Sequence, residues 1–220
     1  MRFGRRFDDQ RQEMVLGLRS RGISDPNVLN VMGELPRHVF VTDMWLSRAY
    51  EDSALPIACD QTISQPFTVA FMTQLLAVRH GSKVLEVGTG SGYQAAVLAM
   101  LGARVFTIER HMDLMNAARK IFDHLGLTIA SKTGDGSIGW SEFAPYDRII
   151  VTAGTPDVPP SLSRQLADGG VLVVPVGTQN AQTMIRVTRK GDRFHTERFE
   201  GFKFVPLVGK EGWQKHRPGE

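Results

Sequence analysis

The segment Glu86-Val87-Gly88-Thr89-Gly90-Ser91-Gly92-Tyr93 carries the sharpest chemical signal in the chain. It follows the short apolar run Val84-Leu85-Glu86-Val87 and precedes an apolar, helix-like stretch from Tyr93 to Leu101. Glycines between a strand and a helix let the chain turn tightly and let a ligand lie against bare backbone. The spacing is Gly-x-Gly-x-Gly with Tyr93 in the sixth position, which departs from the dinucleotide fingerprint Gly-x-Gly-x-x-Gly. It also lacks the Gly-Lys-Ser/Thr ending of a phosphate-binding loop. Two more acidic groups follow the next two strand-like runs. Glu109 ends Arg104-Val105-Phe106-Thr107-Ile108, about 20 residues beyond the loop, where a carboxylate can accept hydrogen bonds from both hydroxyls of a ribose. Gly134-Asp135-Gly136 follows Leu127 to Lys132. Singly, each is an ordinary turn or surface acid. Together, at the ends of three successive strands, they predict a nucleoside site on the C-terminal edge of a sheet.

The elements that must position these groups alternate. Strands are expected at Val84–Val87, Arg104–Ile108, Leu127–Lys132, Asp147–Thr152 and Val171–Val176. Helices are expected at Tyr93–Leu101, at His111–Leu125 with Gly126 just past its end, and at Leu162–Leu166. Asp168-Gly169-Gly170 reads as a turn. Strands alternating with helices imply a parallel sheet covered on both faces. After Gly177 the helices stop. Thr183–Thr188 and Phe194–Phe199 read as strands joined across Lys190-Gly191-Asp192, and Phe204–Val208 as one more extended piece.

The first fifty residues read as helical. Met14, Val15 and Leu18 make one apolar face, Asp25-Pro26 looks like a cap with proline at the first helical position, and Pro36 ends the second helix. Residues 50–66 read as irregular, and Pro66 opens a helix carrying Phe67, Ala70, Phe71, Gln74, Leu75 and Val78. The expected fold class is α/β: a Rossmann-like, mostly parallel, doubly wound sheet with a helical N-terminal extension and antiparallel C-terminal strands. One domain is expected over residues 1–220. Within it, residues 1–80 form the extension and substrate side, 81–177 the ligand-binding core, and 178–220 the last strands.

Composition narrows the field. With 42% hydrophobic and 22% charged residues the chain has the make-up of a soluble globular protein. No run of about 18 apolar residues is present, so no membrane partner is expected. The basic start, Met1-Arg2-Phe3-Gly4-Arg5-Arg6, has no apolar stretch behind it, so no secretory signal is expected and the cytoplasm is the default. A net charge of +3 does not point to nucleic acid, and Arg2, Arg5, Arg6 and Arg11 read as a solvated terminal face. The lone cysteine, Cys59, rules out an intramolecular disulfide or a Cys-based zinc site and reads as a buried thiol. The six histidines form no metal-ligand spacing, and His111 reads as a surface residue in the turn after Glu109. Trp140 and Phe143 pack either on the adenine side of the site or in the core. A monomer is the expected state.

The strand followed by Glu-x-Gly-x-Gly-x-Gly resembles motif I of the S-adenosylmethionine (AdoMet)-dependent methyltransferases. That resemblance implies AdoMet as cofactor and S-adenosylhomocysteine as product. It places Glu86 near the amino-acid end of the cofactor, with Gly88, Thr89, Gly90 and Gly92 as the loop beneath it. It also implies Glu109 on the ribose, and Asp135 with Gly136 on the adenine amino group. An acidic setting suits a ligand that carries an ammonium and a sulfonium.

The upstream segment Ala54-Leu55-Pro56-Ile57-Ala58-Cys59-Asp60-Gln61-Thr62-Ile63-Ser64-Gln65-Pro66 resembles the hallmark of the protein-L-isoaspartate O-methyltransferases. The likeness continues through Pro36-Arg37-His38-Val39-Phe40-Val41, Tyr146 to Ala153, Val158-Pro159-Pro160 and Phe204 to Gly209. It implies methyl transfer to the free α-carboxylate of isoaspartyl residues in damaged proteins and peptides. Ser64 is the match for the catalytic hydroxyl, and Gln61, Thr62, Ile63 and Val205 for the substrate side. Taken alone, Ser64 also fits an N-cap for the helix after Pro66. The family usually has glycine where this chain has Asp60, and aspartate tolerates a left-handed conformation better than most residues. The competing readings are an AdoMet methyltransferase for another carboxylate, a small molecule or RNA, a nicotinamide-dependent oxidoreductase, and a non-catalytic binding module.

Overall fold

The computed structural model describes the backbone of residues 2–214 and the side chains of residues 7–214. Helix α1 (Arg2–Ser20) buries Met14 and Leu18 against α2 (Pro26–Glu34), as the apolar spacing requires. Asp25 caps α2, its side chain accepting from the backbone N–H groups of Asn27 and Val28. The side chains of Arg2, Arg5 and Arg6 lie outside the described residues. Arg11 corrects the expectation of a solvated face. Its side chain is only 15% exposed, donates to the Gly33 carbonyl at 2.7 Å and pairs with Asp8, so it ties α1 to α2.

Short 3₁₀ turns at Arg37–Phe40 and Asp43–Arg48 lead to a small hairpin of β1 (Leu55–Pro56) and β2 (Thr62–Ile63), where an irregular segment is expected from the sequence. Cys59 and Asp60 form its tip with φ of 58° and 56°. Cys59 is exposed there, which corrects the buried-thiol reading: a two-residue ladder leaves a tip nothing packs over. Helix α3 (Pro66–Leu76) follows and ends at a left-handed Ala77, two residues short of the Val78 that the periodicity includes.

The main sheet holds seven strands in the order β5-β4-β3-β6-β7-β8-β9. These are β3 (Lys83–Val87), β4 (Arg104–Glu109), β5 (Ala130–Thr133), β6 (Tyr146–Val151), β7 (Leu166–Gly177), β8 (Gln182–Lys190) and β9 (Arg193–Phe202). The pairs from β5 to β7 are parallel, and β7-β8-β9 is an antiparallel meander. Helices α4 (Tyr93–Met100) and α5 (Met112–His124) make the first two crossovers, and α6 (Pro160–Arg164) precedes β7.

Alternate residues of each strand face opposite layers. Leu85, Val87, Ile149, Val151, Leu172 and Val174 fill one core, and Val84, Val105, Ile150, Val171 and Val173 fill the other with Leu76, Ala95, Leu98 and Phe122. A third core joins the N-terminal helices and the hairpin to Tyr93, Ala96 and Val97 of α4. Two departures from the expected boundaries have a clear local cause. Leu127 stays outside β5 because its N–H bonds back to the Phe122 carbonyl, closing α5 after Gly126 in a left-handed conformation. Asp168-Gly169-Gly170 is no connecting turn but an irregularity inside β7, where the pairing jumps from Tyr146↔Leu166 to Arg148↔Val171. Trp140 and Phe143 pack edge-on to each other and against Phe106 of β4, on the side of the first core, that of Leu85 and Ile149, and neither lines the ligand cleft. No helix of the described residues is long and apolar enough to cross a membrane.

Candidate active site

From β3 the chain runs outward to β4 and β5, then returns to β6 on the other side of β3. The loops leaving β3 and β6 must therefore diverge, and a crevice opens between them at the C-terminal ends of the strands. A cleft open to solvent lies there. Gly88, Thr89 and Gly90 from the glycine loop and Ile108 and Glu109 from β4 line it. Gln61, Thr62, Ile63 and Ser64 from the hairpin make one wall, and Val205 to Val208 make another. The last segment is held by a parallel exchange with the loop after β6: Gly154 N–H donates to the Val205 carbonyl and Leu207 N–H to the Gly154 carbonyl, each at 2.8 Å. Gly136 also lines the cleft, and so does His111, which is not the plain surface residue expected.

The loop's shape explains its glycines. Gly88 has φ of 97°, and a Cβ there would sit 2.5 Å from Thr152 Oγ1. That hydroxyl reaches the carbonyls of Val87 and Gly88 and locks the loop to the end of β6. Gly90 has φ of 52°, and the nearest atom to its missing Cβ is Ile57 Cδ1 at 3.7 Å. Its bare backbone is thus left for a ligand.

The three carboxylates divide. Glu109 accepts from Gly90 N–H and His111 N–H, one on each oxygen at 2.9 Å. Each oxygen keeps a second lone-pair site, and with Glu109 lining the cleft this suits the paired hydroxyls of a ribose. Glu86 does not line the cleft. It lies beneath the loop, 0% exposed, on the α3–α4 side of the sheet. Thr107 Oγ1 donates to its Oε2 at 2.5 Å, Thr89 Oγ1 bonds Thr107 Oγ1 at 2.6 Å, and Oε1 has no partner. Burial, with the charge of Glu109 adding to it and the Thr107 bond opposing it, pushes the Glu86 carboxyl up to about 8. Asp135 also stands behind the wall. Its Oδ1 accepts from Ser137 N–H and Ser137 Oγ, and its Oδ2 from Lys210 N–H at 2.7 Å. Partial burial opposes ionisation there, but those bonds outweigh it and hold the carboxyl below its usual range. Gly92 likewise faces away, against the Phe122 ring.

Ser64 lies at the end of the hairpin. Its side chain does not cap α3: Gln65 holds the cap position, and Phe67 N–H is served instead by Asp52 Oδ1 at 2.8 Å. What fixes Ser64 is Arg37. This guanidinium is wholly buried, lies 4.7 Å over the Tyr93 ring, and donates from Nε to the Ala49 carbonyl and from Nη2 to the Ser64 carbonyl, both at 2.8 Å. It has no ion pair among the described residues, and desolvation lowers its pKa.

Comparison with known proteins bears directly on this arrangement. The sequence profile of the protein-L-isoaspartate(D-aspartate) O-methyltransferase (PCMT) family matches residues 9–212. The chain belongs to that family. A protein-L-isoaspartate O-methyltransferase of Chlorobium phaeovibrioides is 52% identical over 214 residues, covering 94% of this chain and 93% of its own. A solved structure of a protein-L-isoaspartate O-methyltransferase superposes with a TM-score of 0.83 at 30% identity, over 92% of this chain and 67% of the other. A Plasmodium falciparum structure described under the same activity, in complex with S-adenosyl-L-homocysteine, gives a TM-score of 0.79 at 25% identity, over 90% of this chain and 98% of the other. For a member of this AdoMet-dependent family, the bare Gly90 backbone and the half-engaged Glu109 carboxylate are the features that fit the cofactor.

Sequence reasoning gave no role to Arg37, Thr107 or Thr152. Arg37 stands in one of the segments that carry the family likeness, but its bond to Ser64 spans 27 residues and no local pattern announces it. Thr107 sits opposite Glu86 in the β3–β4 register, a pairing that only sheet assembly creates.

Proposed function

We propose that this chain transfers a methyl group from AdoMet to the free α-carboxylate of L-isoaspartyl residues in damaged proteins and peptides, with Ser64 as the catalytic hydroxyl. The observation that carries the reading is the hairpin of the family's hallmark segment, which sets Ser64 in the same cleft as Gly88, Gly90 and Glu109. AdoMet, when bound, supplies a methyl group on a sulfonium and leaves as S-adenosylhomocysteine. Glu109 would hold its ribose, and Gly88, Thr89 and Gly90 would run beneath it. Glu86, from below the loop, would act through Thr107 and Thr89, and Asp135 would brace Gly136 and the 209–210 segment against the site.

The acceptor needs little help with protons. A carboxylate is ionised at pH 7 and carries its own nucleophilic oxygen, so no general base is required. Charge is dispersed as the carboxylate meets a sulfonium methyl, and alignment and exclusion of water supply most of the rate. A neutral hydroxyl that orients the carboxylate without quenching it suits that task. The Ser64 hydroxyl would donate to the carboxylate while Arg37 holds the backbone behind it. Gln61, Thr62, Ile63 and Val205 would line the peptide's approach.

We further place the protein in the cytoplasm as a monomer whose residues 1–220 make one methyltransferase domain. A single cysteine that needs no oxidising compartment supports the first part. The test is transfer of labelled methyl to two peptides of one sequence, one with isoaspartate and one with aspartate. Base-labile label on the isoaspartyl peptide alone is expected. Ser64→Ala should cut kcat on the order of tenfold or more while leaving AdoMet affinity unchanged. Bound AdoMet with no label on either peptide would sink the reading.

A further inference from the structure

Ser64 faces two clefts. Beyond the one already described lies a smaller one, and Thr62, Ser64, Thr152 and Val205 line both. The smaller cleft has a distinct chemistry. Thr62, Ser64 and Thr68 bring hydroxyls, Gln65 an amide and Lys203 a cation, the Thr152 hydroxyl being already given to the glycine loop, and among the described residues no Asp or Glu lines it. A lining of donors with one positive charge and no acid is a receptor for an anion.

Lys203 is exposed, and its ammonium has no ion pair with any described residue. Its backbone is nonetheless well placed. The next residue, Phe204, is buried and its N–H donates to Gln182 Oε1 at 2.7 Å. The backbone at the root of this side chain is therefore fixed beside the cleft, and its charge is not used by the fold.

We propose that Lys203 is a specificity-determining residue for the acceptor, drawing the anionic isoaspartyl carboxylate into the smaller cleft and releasing it once it is a neutral ester. This rests on the function proposed above. The acceptor oxygen gives a lone pair to the methyl carbon as the C–S bond breaks, with that bond's electrons going to sulfur. No proton moves, and the acceptor's charge is gone at the end. Lys203 thus interacts more strongly with the bound carboxylate than with the transition state. Such a contact lowers KM and does not raise kcat. A residue that merely supported the fold would do the opposite when lost, lowering kcat.

The experiment compares wild type, Lys203→Met and Lys203→Arg on one isoaspartyl peptide at saturating AdoMet, at low and high salt. Lys203→Met should raise KM about two- to fivefold at low salt, the range of an exposed charge pair. Its kcat should be equal to wild type or higher, and the KM gap should close as salt screens the charge. Lys203→Arg should keep the wild-type KM. An unchanged KM in Lys203→Met at low salt, with wild type active, overturns the inference and leaves the function standing. So does a fall in kcat that matches the fall in kcat/KM. A wild-type protein that binds AdoMet but leaves the isoaspartyl peptide unlabelled overturns both.

Discussion

Replacing Glu86 by glutamine should change how stability depends on pH. The carboxyl is fully buried, has one hydroxyl donor and leaves Oε1 unpartnered. Burial raises it from 4.5 to about 8. Between those values the folded chain holds one proton more at this site than the unfolded chain does. Stability from this group is therefore fully present below about pH 4.5 and is lost as pH rises towards 8. The slope reaches about 1.4 kcal/mol per pH unit, and over the window the loss is roughly 3 to 5 kcal/mol. Glutamine is neutral throughout and removes that slope. It has a fixed cost of its own, about 1–3 kcal/mol, for an amide N–H₂ placed where no acceptor stands. The variant should then be less stable than wild type near the acid end of the window and should match or exceed it at the alkaline end. Urea unfolding of both proteins across the window reads this directly, because every other titrating group cancels in the difference. Parallel stability curves would mean that Glu86 is ionised in the fold, and the account of its burial would be wrong.

Two further substitutions probe the cleft. Glu109→Gln exchanges one acceptor of a backbone N–H for a donor, so AdoMet affinity measured by calorimetry should fall on the order of tenfold or more, the cost of one charge-assisted bond. Wild-type affinity would remove Glu109 from the ribose. Gly88→Ala drives a methyl group to 2.5 Å from Thr152 Oγ1 at a φ of 97°, and thermal unfolding should show a loss of about 2–3 kcal/mol. Pairing it with Thr152→Ala should recover part of that loss, since the clash is with the hydroxyl.

Much of the α/β core was legible because its signals are local. Val84 to Val87, Arg104 to Glu109 and Ile149 to Val151 are apolar runs of strand length, and the glycine loop marks where the first one ends. Asp25-Pro26 reads as a helix start because cap and helix are contiguous. The hairpin before α3 was not legible. Its two-residue strands are too short for an alternation to show, and it exists because the Leu55 and Ile63 side chains are buried in the N-terminal core. The break in β7 was misread for a related reason: Asp168-Gly169-Gly170 is turn chemistry wherever it occurs, and only the pairing with β6 on both sides keeps it inside one strand.

The same division runs through the site. The sequence alone determined the family, the fold class and the order in which Glu86, Glu109 and Asp135 meet the strand ends, because covalent order and a period of two place them there. Tertiary structure decided which of them reach the cleft. Glu109 lines it, whereas Glu86 is sealed beneath the loop by Thr107 and Thr89, and Asp135 is turned to Ser137 and Lys210. It also brought Arg37 to Ser64 and Lys203 to the smaller cleft beside it, over separations that no local pattern encodes. Residue type and spacing say what a side chain can do. What it meets, and whether water reaches it, depends on contacts between elements that lie far apart in the chain.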